Sequence, residues 1–114
     1  MKSESWYHFS FQLILSGSYD ENIRLFDMRN GREALKTVKT DGGVWHIENC
    51  ERGGLPYYLS SCMYGGWALL DQNFDVVNSD KLAGEQLLYG ITMLNENTLA
   101  YTTFNDFKVS TAAL

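Results

Sequence analysis

The chain has 114 residues, of which 45% are hydrophobic and 14% aromatic, which is enough for one globular domain with its own core. A formal net charge of −5 lacks the basic footprint of a nucleic-acid or anionic-membrane binder, so neither partner is expected. The longest apolar runs, such as "QLIL" and "WALL", fall far short of the roughly 20 residues of a membrane span. With no basic-then-apolar leader at the N-terminus, the chain reads as soluble and cytoplasmic.

Ten glycines, one proline and short alternating runs of β-branched and aromatic residues predict strands throughout, and no segment carries an apolar period of 3.6. In chain order, an apolar strand begins near Trp6, a second covers 12–18, a polar turn follows, and further strands cover 22–28 and 34–39. The same order returns from Trp45, with strands at 57–63, 66–71 and 74–79. It begins again at Tyr89, with strands at 97–103 and 107–111 and no fourth strand after them.

These units are a repeat. Shifted by 44 positions, "LILSGSYDENIRLFD" falls on "YYLSSCMYGGWALLD" without a gap, so that Leu15 meets Leu59, Ser16 meets Ser60 and Asp27 meets Asp71. The same shift places Trp45 on Tyr89 and Ile47 on Ile91. A period near 40 residues with four short antiparallel strands per unit is what a β-propeller blade needs, because each small sheet buries its faces only against its neighbours. The prediction is an all-β fold, a WD40-like β-propeller fragment of about three four-stranded antiparallel blades over 4–40, 41–84 and 85–111, the last lacking its outer strand. Three blades do not close a ring, so the chain is expected to be the tail of a longer protein, to complete its sheets by self-association, or to leave exposed edges.

"SGSYDENIRLFDMR" resembles the WD-repeat signature, with Asp20 in the hairpin turn and Phe26-Asp27 where that family has Trp-Asp. Together with the following "GGVWHI" and a "YG" strand, it is similar to the C-terminal half of the diphthine methylesterase family, also called diphthine methyltransferase, over residues 4–111. The resemblance implies hydrolysis of the methyl ester of methylated diphthine on translation elongation factor 2, in diphthamide biosynthesis. Two alternatives stand beside it: a WD-repeat protein-interaction scaffold without catalysis, and a truncated fragment with no function of its own.

Residue by residue, the serines of "SGS" do not sit on the sharp strand-to-helix turn of a Gly-x-Ser-x-Gly nucleophile, so Ser16, Ser18 and Asp20 read as structural turn residues. "DGGVWHIE" is the candidate for chemistry. His46 suits general acid–base work near neutral pH, and Glu48, two residues on, should share its strand face and could orient it. The plainer reading of the two is a solvated or satisfied pair on an inner strand. Gly43, Trp45 and Tyr89 are the binding candidates, while the recurrence of Trp6, Trp45 and Tyr89 once per unit also fits packing between blades. Cys50, Cys62, His8 and His46 lack close ligand spacing, so no metal and no cofactor is expected. "CERGGLP" lacks the Lys-Ser/Thr ending of a phosphate loop and reads as a turn.

Overall fold

Strand-forming runs broken every few residues by Gly, Asn and Asp turns commit this sequence to hairpins. The computed structural model describes residues 4–7, 10–29, 33–104 and 108–114, and side chains within these ranges from residue 13 onward. His8 and the predicted strand start at residue 107 lie outside the described residues, as does the side chain of Trp6.

The described strands form three antiparallel sheets in which each strand pairs with its neighbours in sequence. The first blade consists of β1 (Glu4–Tyr7), β2 (Ser10–Gly17), β3 (Asn22–Asp27) and β4 (Lys36–Lys39). The second consists of β5 (His46–Arg52), β6 (Leu55–Ser61), β7 (Trp67–Leu70) and β8 (Val76–Asp80). The third consists of β9 (Leu88–Asn95), β10 (Thr98–Thr103) and β11 (Val109–Ala113), with no fourth strand among the described residues. The chain is thus all-β, a propeller fragment of three blades whose last sheet has three strands. No helix is long and apolar enough to cross a membrane among the described residues.

Two cores lie between the blades. Leu15, Ile23 and Leu25 of blade one pack with Val44, Ile47, Tyr58, Cys62, Ala68, Leu70 and Phe74 of blade two. Leu59, Trp67 and Leu69 on the other face of blade two pack with Leu88, Ile91 and Leu99 of blade three. Strand alternation divides β6 and β7 between these cores, which is why "WALL" is buried along its whole length. Polar ties reinforce the seams. Lys36 Nζ donates to the Asn73 carbonyl at 2.9 Å and to the Asp75 carboxylate, joining blade one to blade two. Arg52 Nε donates to the Glu96 carbonyl at 2.7 Å, and the Gly53 amide donates to the Glu96 carboxylate at 3.0 Å, joining blade two to blade three.

The β2–β3 and β6–β7 turns meet the β4–β5 connection at one end of the blades. There the Val44 amide donates to the Ser18 carbonyl at 2.9 Å and the Trp45 amide to the Ser61 carbonyl at 2.9 Å. Main chains approach so closely that a Cβ on Gly42 would stand 2.2 Å from the Cys62 carbonyl oxygen. Glycine is needed here for close approach and not for a left-handed φ, since Gly42 has none. We expect Gly42→Ala to push the two segments apart and cost about 1–3 kcal/mol, read as a lower urea midpoint with an unchanged m-value.

Candidate functional site at the inner strand of blade two

β5 alternates its side chains. Ile47 enters the core against blade one, so His46 and Glu48 project from the opposite face, toward blade three. The Glu48 carboxylate accepts hydrogen bonds from Thr92 Oγ1 at 3.0 and 3.2 Å and from the Met93 amide at 3.2 Å, all on β9. His46 is exposed at the start of the strand, opposite Ser61 of β6 in register. Among the described residues no hydrogen bond joins His46 to Glu48. The strand thus brings both onto one face, but the carboxylate is held by blade three.

Next to them, the Trp45 ring meets Tyr89 with centroids 4.8 Å apart and a tilt of 59°, and Tyr89 stacks on Phe104 at 6.1 Å and 23°. These contacts carry an aromatic row across the seam. Gly43 lies against the first and second turns, where an added Cβ would be 3.1 Å from Met63 Sδ and 3.3 Å from Tyr19 Cδ1. The binding candidates therefore fall in two places: Trp45 and Tyr89 touch, and Gly43 serves the neighbouring turn packing.

The turn residues sit where local hydrogen bonding requires. Asp20 Oδ1 accepts the Asn22 amide at 3.1 Å, and Arg24 pairs with the same carboxylate. That hydrogen bond from the guanidinium holds the Asp20 carboxyl below its ordinary value. The Ser18 carbonyl accepts the Glu21 amide at 3.3 Å, and half-buried Ser16 pairs in register with Arg24.

Sequence reasoning missed three polar atoms at this seam. Ser61 Oγ, Trp67 Nε1 and Thr103 Oγ1 are buried without a hydrogen-bond partner among the described residues. Ser61 and Trp67 face each other in register on the blade-three side of blade two. The available signal was the repeat itself, which sets Ser61 where the first unit carries Gly17.

Neither thiol is activated. Half-burial, with the Glu48 charge adding to it, pushes Cys50 up to about 11, and burial pushes Cys62 up as well.

Three meander sheets stacked through two apolar seams define part of a WD-type β-propeller. No family model matches the chain. Among curated proteins it is 32% identical over 90 residues to diphthine methyltransferase of Homo sapiens, a match covering 68% of this chain and 19% of that protein. It is 31% identical over 90 residues to diphthine methyltransferase of Mus musculus, covering 68% of this chain and 18% of that protein. The chain is therefore a relative of part of diphthine methyltransferase, as "SGSYDENIRLFDMR" and "GGVW" indicate, and spans about a fifth of the length of these relatives. Among solved structures it resembles the β-propeller domain of Myceliophteria thermophila Cps50 (Swd1), with 12% identity, a TM-score of 0.46, and coverage of 98% of this chain and 51% of that one.

Two outcomes follow from this geometry. Glu48→Ala should release the Met93 amide and speed its hydrogen exchange, at a cost of about 1–2 kcal/mol to blade-three docking. Alkylation of Cys50 at pH 8 should run roughly two orders of magnitude slower than that of an unperturbed cysteine, because little thiolate forms. Its rate should rise about tenfold per pH unit from pH 8 to 10, as followed by mass spectrometry.

Proposed function

We propose that this chain is part of a propeller acting in diphthamide biosynthesis, where it hydrolyses the methyl ester of methylated diphthine on translation elongation factor 2. The observation that carries this reading is the 90-residue match, at 32% identity, to human diphthine methyltransferase. The reading places the protein in the cytoplasm with its protein substrate. It also calls for further blades, supplied by a longer chain or by copies of this one.

His46 is the residue we assign to proton transfer. Its imidazole stands exposed on the residue that follows Trp45, open to a substrate side chain. The imidazole takes a proton from water as the oxygen adds to the ester carbonyl carbon. It returns that proton to the departing methoxide, leaving methanol and a carboxylic acid, which loses its own proton to water to become the carboxylate. Glu48, on the same strand face, is fixed by Thr92 and the Met93 amide and anchors β5 against blade three beside His46. Trp45 and Tyr89 wall the approach, and Gly43 supports the adjoining turn.

A scaffold reading draws support from one observation: the bonds of Glu48 go to blade three, as they would in a purely structural contact. Methanol release from elongation factor 2 carrying methylated diphthine, followed by mass spectrometry, separates the two readings. We expect turnover that falls about 100-fold or more in His46→Ala with an unchanged thermal melt. Full activity in that variant removes His46 from the chemistry. Capture of the elongation factor without methanol release supports the scaffold.

A further inference from the structure

Blade two sets a polar row across the face it turns toward blade three. His46 of β5 stands opposite Ser61 of β6, and Ser61 stands opposite Trp67 of β7. Residues paired in this way share a face of the sheet, with Cβ atoms about 4.5–5.5 Å apart. The Trp45 amide donates to the Ser61 carbonyl at 2.9 Å, which fixes the Ser61 main chain beside the start of β5. Ser61 is fully buried, and its Oγ has no hydrogen-bond partner among the described residues. The His46 imidazole is exposed and has no hydrogen-bond partner among them either.

The blade itself does not require this hydroxyl. Gly17 holds the same place in blade one, 44 positions earlier and opposite Ile23 in register. A buried hydroxyl left unpaired is destabilising, so a partner is expected for it. The imidazole in turn needs an acceptor if one of its tautomers is to be fixed. Glu48 is already held by Thr92 and the Met93 amide, and the indole of Trp67 is a donor only. Within the row, the Ser61 oxygen is therefore the group that can accept an imidazole N–H. Nδ1 lies nearer its own backbone than Nε2 does, so it is the ring nitrogen within reach of a short side chain on the neighbouring strand.

We propose that Ser61 is a positioning residue for His46: its buried Oγ accepts a hydrogen bond from Nδ1–H and leaves Nε2 as the basic nitrogen, turned toward solvent. The hydroxyl is covered and does not touch substrate, so it acts only through the imidazole. Its catalytic use rests on the ester-hydrolysis reading, whereas the contact itself does not.

The test is the tautomer of His46, read by nitrogen NMR of the purified chain well above the ordinary histidine range, with the signals assigned by their loss in His46→Gln. The unsubstituted chain should hold mainly the Nδ1–H form. Ser61→Ala should revert to the Nε2–H form that a free imidazole prefers, with an unchanged thermal melt, and Ser61→Gly, which copies blade one, should do the same. Ser61→Thr keeps a hydroxyl and should keep the Nδ1–H form. In the methanol-release assay Ser61→Ala should lower kcat about tenfold or more at unchanged KM, and Ser61→Thr should restore it. A mainly Nε2–H ring in the unsubstituted chain overturns the proposal, as does an unchanged tautomer in Ser61→Ala and Ser61→Gly. A changed tautomer with full kcat overturns the positioning role. Loss of the Nδ1–H form in Ser61→Ala, with no methanol released even by the unsubstituted chain, supports the contact and overturns the ester reading, so the two failures are told apart.

Discussion

A blade of this chain is a single layer of short strands with two faces to bury, and only another blade can cover them. Blade two meets that demand on both sides at once. Tyr58, Cys62, Ala68 and Leu70 point one way, and Leu59, Trp67 and Leu69 point the other. Its middle strands have no solvent face for a polar group, so every polar atom there needs an internal partner. Ser60 finds one in the Ala68 carbonyl at 3.0 Å, whereas Ser61 Oγ and Trp67 Nε1 on the other face have none among the described residues. The outer strand β8 faces no such demand, and its valines stand exposed.

Polar contacts work at the margins of these cores. Lys36 reaches Asn73 and Asp75 at one seam, and Arg52 reaches Glu96 at the other. Exposed ties of this kind add little stability one by one. Their value lies in register, since each fixes how far one blade slides along the next. The glycine contact between Gly42 and the Cys62 carbonyl does the same for the turn end, where main chains touch with no side chain between them.

The blades themselves were legible because burial on both faces leaves a repeated mark: Leu15 and Leu25 of blade one recur as Leu59 and Leu69 of blade two. The third blade was harder to read. Shifting 57–63 onto 97–103 sets Leu59 over Leu99. In the fold Leu59 lies opposite Glu48, and the residue opposite Thr92, which holds the place of Glu48 in the next unit, is Ala100. A one-residue slip exchanges the faces of a strand, and the irregularity at Thr98/Leu99 supplies it. The contacts of the candidate site were written in the repeat but could not be recognised as contacts from sequence. Trp45 and Tyr89, Glu48 and Thr92, and Arg52 and Glu96 are each 44 positions apart. These three matched pairs touch in space, because β5 and β9 run side by side.

The same spacing bears on His46, which is open when its neighbours are not. The residue 44 positions beyond it is Gly90, where an added Cβ would stand 2.9 Å from Thr102 Oγ1. Trp45 meets a ring, Glu48 meets a hydroxyl and an amide, and Arg52 meets a carbonyl, but the equivalent of His46 offers no side chain at all. The imidazole is exposed where these three residues are partly covered. The exposure of His46 thus coincides with a glycine at the matching position of blade three.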